Sequence, residues 1–229
     1  MPQKTFNLNR DSFKFLLGAS ALTILISFIP LAWVLVYPLR LFVTFIHEGG
    51  HALATLFTFG SVVGMVIFAD ASGSTYTLGG FQPIIASAGY LTSAAYGASL
   101  LVLCRDGRKA KAALTVTAGL ILALTWFFAS NIFSWFTGVA LTAGLIAIVI
   151  SASVRTAHFF LSFLAVQCCL NALFDLKTLF LISATTNIHS DAVNMQQATM
   201  IPAIVWAVFW LIISIIALIF ALRNHLREG

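Results

Sequence analysis

Long apolar runs alternate with short polar breaks along most of the chain, at a length that suits membrane-crossing helices. The runs cover about residues 15–36, 38–59, 83–104, 112–130, 137–153, 157–181 and 202–222. Each is long enough for one crossing of a hydrocarbon layer ~30 Å thick. The pattern predicts an all-α polytopic membrane protein with about six to seven transmembrane helices, the lower number applying if one segment is re-entrant. Pro30 predicts a kink in the first run. The breaks are short except for "TTNIHSDAVNMQQATM", which reads as a polar loop before Pro202.

One stretch departs from this rhythm. Residues 60–82 alternate β-branched and small residues around the turn-like "DASGS", which predicts a short membrane-associated β-hairpin after the second helix. No internal repeat or low-complexity tract appears. Residues 1–229 are therefore expected to form one integral membrane domain with a hairpin-like insert at about 60–82.

Composition strengthens the membrane reading. The chain is 60% hydrophobic and 8% charged, with a mean hydropathy of +1.01, far from the balance of a soluble domain. The net charge of +5 does not imply a nucleic-acid partner, because the basic residues sit in small clusters that flank apolar runs. If all runs cross, Lys4, Arg10 and Lys14 fall on one side, and Arg40, Arg105, Arg108, Lys109, Lys111, Arg155, Arg223 and Arg227 on the other. The larger set predicts the cytoplasmic side, with residues 60–82 outside, although the amino-terminal charges pull the other way. The first apolar run is expected to remain as a span, and the plasma (inner) membrane is the expected location. Cys104, Cys168 and Cys169 lie in or beside apolar segments and read as packing residues, not as a disulfide framework.

The chemistry concentrates in "FIHEGGHALATLF". His47 and His51 are four apart, so a helix places both imidazoles on one face, one turn from each other. Glu48 follows His47 directly, where a carboxylate can act as general base toward a metal-held water. This is the H-E-x-x-H pattern, and with five His and two Glu in the chain its chance occurrence is roughly one in a thousand. The pattern predicts a Zn2+ site with His47 and His51 as ligands and Glu48 as catalytic residue. Ionisable groups inside a span are costly, and a divalent cation compensates three of them together better than polar helix contacts would. Gly49 and Gly50 fit either close helix packing or room for a substrate backbone.

A catalytic zinc needs a third protein ligand. Asp175 is the one carboxylate lying within another apolar run, and its depth matches that of His51 if both runs cross in the same direction. Asn171, one turn earlier, shares its face and is a candidate for binding a substrate backbone. His189 competes as the third ligand from the loop beyond Asp175, where it neighbours Asp191. His158 and His225 lie too far along their segments to reach the motif.

The chain resembles the site-2 proteases, intramembrane zinc metalloproteases that cleave other membrane proteins within or near the bilayer. The resemblance rests on "HEGGH" in an early apolar helix, the Gly-bounded hairpin-like stretch after it, and Asp175 in a later apolar helix. It covers about residues 40–104 and 165–180 and is strongest for the compact branch without an inserted soluble domain. It implies His47, His51 and Asp175 as zinc ligands, Glu48 as general base, and a hairpin offering an edge strand to an extended substrate. Gly79 and Gly80, which bound that hairpin, join Asn171 as candidate substrate-binding residues. The family's usual Asn-Pro and Asp-Gly signature is incomplete, because "NALFDLK" keeps Asn171 and Asp175 without the proline or the glycine.

The expected function is hydrolysis of peptide bonds in membrane-embedded protein substrates, with the lipid bilayer as surroundings and the oligomeric state open. Two other classes remain open on sequence: a catalytically silent binding or chaperone protein on the same scaffold, and a metal or proton transporter. The transporter would call for more intramembrane carboxylates.

Overall fold

The computed structural model describes residues 8–27, 33–104, 109–185 and 190–227. Among the described residues, eight helices and one hairpin follow in order: α1 (Leu8–Ser27), α2 (Trp33–Phe57), β1 (Ser61–Ile67), β2 (Gly73–Leu78), α3 (Gln82–Leu103), α4 (Ala110–Phe128), α5 (Ile132–Ser151), α6 (Val154–Thr185), α7 (Asp191–Thr199) and α8 (Ala203–Arg227). Among the described residues, five helices are long and apolar enough to cross a membrane: α3, α4, α5, α6 and α8.

The first two predicted runs overlap α1 and α2, but the division expected between residues 36 and 38 falls inside α2, which already includes Trp33. Pro30, where a kink is expected, lies outside the described residues, whereas Pro38 stands within α2. The polar loop expected before Pro202 is corrected in part, because Asp191–Thr199 form α7. Ser190 caps this helix by accepting from the backbone N–H of Val193, and Asp191 places its charge in the first turn, where the helix dipole favours it.

Helix faces are sorted in the sense a lipid surround requires. On α8, Ala203, Ala207, Trp210, Ser214 and Ala221 recur at helical spacing and are buried, while Val205, Ile212, Ile216 and Phe220 point outward. The exposed face is thus the more apolar one, as expected where the solvent is hydrocarbon. The helix α3 is central and packs against α2, α6, α7 and α8. Pro83 in its first turn needs no N–H partner there, and small residues such as Ser93 and Gly97 lie on its buried stripe.

The hairpin is antiparallel, with Met65 opposite Thr75 and Ile67 opposite Gly73, and its register shifts between Val62 and Gly64. The second edge of β1 is closed by the α4–α5 turn. Met65 O accepts from the Ser130 N–H at 3.0 Å, Ile67 N donates to Ser134 Oγ at 2.6 Å, and Asn131 Nδ2 donates to Ile67 O at 3.1 Å. The second edge of β2 has no strand partner among the described residues. Tyr37 and Thr44 of α2 moor the hairpin turn by donating to the carbonyl oxygens of Ala69 and Ala71 at 2.6 and 2.7 Å.

Candidate metal centre

The site lies where α2, α3, α7 and β2 converge on a cavity of about 720 Å³. One face of α2 contributes Arg40, Thr44, His47, Glu48 and His51 to its wall, as their helical spacing requires. Residues 73–77 of β2 add a further wall, and Asn171, Asp175 and Asp191 are among the other polar lining residues.

His47 Nε2 and His51 Nε2 are 3.1 Å apart. Asp191 Oδ2 lies 3.2 Å from the first and 3.3 Å from the second. A tetrahedral ion with ligand atoms at ~2.0–2.1 Å has ligand-to-ligand edges of ~3.3–3.4 Å, so the three separations fit such a site. His51 Nδ1 donates to the carbonyl oxygen of Ile85 at 2.7 Å. That contact occupies Nδ1 as a donor and leaves Nε2 as the ring nitrogen that faces the other two groups. Two imidazole nitrogens and a carboxylate oxygen converging in this way need a cation or shared protons between them. Among the described residues, His47, His51 and Asp191 are the group that could hold a metal ion.

The surroundings suit that use. A methyl group on Gly89 of α3 would collide with Nε2 of both His47 and His51, so only glycine leaves their metal-facing side open. Tyr90 meets the His47 ring edge-on with centroids 4.7 Å apart, and Trp210 of α8 stacks behind Tyr90 at 5.5 Å. This stack restrains one ligand much as the Ile85 carbonyl restrains the other. Burial works against the charge of Asp191, but the neighbouring His51 and His47 outweigh it and hold the carboxyl below the ordinary range.

Glu48 is buried, and its Oε2 accepts from Thr75 Oγ1 of β2 at 2.7 Å. Gly49 and Gly50 serve packing rather than the cavity: side chains there would meet Leu124 of α4, and Ala88 and Thr92 of α3.

The predicted site residues separate into three groups. His47, Glu48 and His51 stand together as expected. Asp175 and Asn171 line the same cavity, but Asp175 is not in the group converging on the two histidines, where Asp191 stands instead. The buried Asn171 Nδ2 has no hydrogen-bond partner among the described residues. Gly79 and Gly80 do not line the cavity; they have φ of 70° and 76° and turn the chain from β2 into α3. His189 lies outside the described residues. His158 is buried elsewhere, with Nε2 2.5 Å from the Cys104 carbonyl oxygen.

Sequence reasoning missed Asp191 by placing it in a solvated loop. The available signal was "SDAV", an N-cap serine followed by an acidic first-turn residue.

A sequence model of the family described as Peptidase M50B-like matches residues 17–221. No curated protein and no solved structure matches the chain.

Proposed function

The chain belongs to the Peptidase M50B-like family, and from that premise we propose that it is an intramembrane zinc endopeptidase acting on membrane-embedded polypeptides. The observation that carries this reading is the convergence of His47, His51 and Asp191 within 3.3 Å, beside the carboxylate of Glu48. His47, His51 and Asp191 would hold the metal. When bound, zinc supplies Lewis acidity, which polarises a carbonyl and makes water acidic near neutral pH.

Glu48 acts as general base and then general acid. The Oε1 atom, which Thr75 does not engage, takes a proton from the attacking water and delivers it to the leaving amide nitrogen. The open edge of β2 suits an extended substrate, because an unwound segment within a bilayer needs partners for its freed backbone groups. Asn171, which lines the cavity, would offer its side-chain amide to the substrate backbone. Polar lining from Arg40, Asp70 and Ser72 admits water to an otherwise apolar protein.

The test pairs zinc content with cleavage of a model single-span polypeptide, for wild type, His47→Ala, Asp191→Ala and Glu48→Gln. About one zinc per chain is expected in wild type and in Glu48→Gln, with cleavage slowed by about 10²–10⁴-fold in the latter. A wild-type protein without zinc, or a Glu48→Gln protein that cleaves normally, would overturn the proposal.

A further inference from the structure

A glutamate on a helix has three rotatable side-chain bonds, so its place in α2 does not by itself aim its carboxylate. The hairpin does. Thr75 Oγ1 lies 2.7 Å from Glu48 Oε2 and 3.1 Å from the backbone oxygen of the same residue. Gly73 is two residues earlier on β2 and therefore projects to the same face. A methyl group there would come within 2.7 Å of Glu48 Cγ and 2.8 Å of both Oε1 and the Thr44 methyl. A donor for one carboxylate oxygen thus sits beside a vacancy for the other.

The strand bearing both features is itself restrained. Its turn is tied to α2 through Tyr37 and Thr44, and its partner strand is tied to the α4–α5 turn through Ser130, Asn131 and Ser134. We propose that Gly73 and Thr75 form a positioning cradle for Glu48, so that β2 orients the general base as well as offering its open edge to a substrate. This rests on the protease reading. Thr75 does not touch the reacting atoms and acts through Glu48. A polypeptide pairing with β2 would also stiffen the strand that aims the base, which links edge occupancy to base geometry.

The test uses the full chain, zinc-loaded in detergent, with two readouts. One is kcat and KM for a model single-span polypeptide. The other is the affinity for acetohydroxamate, which chelates zinc through two oxygens and shares its proton with an adjacent carboxylate, so it reports the position of Glu48 without turnover. Thr75→Val is expected to keep its zinc and its KM while kcat and hydroxamate affinity fall about tenfold or more, the scale of a lost hydrogen bond to a charged group. Thr75→Ser should restore both. Gly73→Ala, which keeps the donor but crowds Oε1, should show the same loss, and it decides the matter should Thr75→Val fail to fold.

Unchanged kcat and hydroxamate affinity in the folded Thr75→Val or Gly73→Ala protein would overturn the cradle, as would a Thr75→Ser protein as impaired as Thr75→Val. A wild type that binds zinc and hydroxamate but cleaves no polypeptide loses the protease reading, while the hydroxamate comparison still decides the cradle. A wild type without zinc ends both proposals, and its metal content alone distinguishes that outcome.

Discussion

Replacing Asp191 by alanine separates two possible third ligands, because Asp175 lines the same cavity and remains in place. Structural zinc sites with four protein ligands bind with ~10–16 kcal/mol, or ~2.5–4 kcal/mol per ligand if shared evenly. Loss of the Asp191 oxygen, which stands 3.2 and 3.3 Å from the two imidazole nitrogens, should therefore weaken zinc binding by about 10²–10³-fold. Asp191 is also a first-turn residue of α7, but a lost helix-dipole contact is worth only ~0.3–1 kcal/mol, too little to imitate that effect. Asp175→Ala removes a cavity-wall carboxylate that is outside the converging group, and less than a tenfold change is expected. The assay is competition for zinc against a chromophoric chelator, with circular dichroism confirming equal helicity. A hundredfold loss in Asp175→Ala with a near-normal Asp191→Ala would refute the assignment.

Three further outcomes follow from the same geometry. Gly89→Ala should abolish zinc binding, since the added methyl collides with both Nε2 atoms, whereas Gly119→Ala, with nothing within 4 Å of the added carbon, should bind like wild type. Chelator treatment should lower the melting temperature reversibly, since a ligand at a hundred times its Kd contributes ~2.7 kcal/mol, and superimposable melts with and without zinc would contradict the site. Ser190→Ala should cost ~0.5–2 kcal/mol through the lost α7 cap, read as a lower melting temperature with a weaker zinc affinity, because α7 carries Asp191.

What could be read from sequence was local. The His47–Glu48–His51 arrangement follows from helical spacing alone, and the hairpin follows from strand alternation around a turn-like pentapeptide. The place of Asp191 does not follow from any local rule, because it meets His47 across a sequence separation of 144 residues. A nine-residue polar helix also lacks the apolar periodicity by which the longer helices announce themselves. Asp175 attracted attention because a carboxylate in an apolar run is expensive and usually functional. That logic leads to the cavity, where Asp175 lines the wall outside the group that converges on the two histidines. Gly79 and Gly80 show a related limit: paired glycines after a strand mark a close approach or a turn, and here both have positive φ while Gly80 also packs closely on Ile85 and Thr58.

Geometry places Asp191 at the two imidazoles, and charge balance favours one ligating aspartate over two. A divalent ion held by two imidazoles and one carboxylate would keep one excess positive charge, which a second carboxylate lining the same cavity, that of Glu48, would offset. The centre as a whole is then neutral, which matters in a protein where only 8% of residues are charged and little compensates a stray ion. Ligation by Asp175 as well would leave the centre with a surplus negative charge. Outside the converging group, Asp175 instead shares a polar cavity with the cationic side chain of Arg40. The short helix α7 is what makes this division possible. Gln196 Oε1 accepts from the Ala203 N–H at 2.8 Å and Trp206 Nε1 donates to Thr199 at 3.1 Å, which ties α7 to the start of α8 and brings its first residue to α2. An ion bridging Asp191 to His47 and His51 would lock that contact from the other end, so metal binding and the packing of α7 against α3 and α8 should strengthen each other.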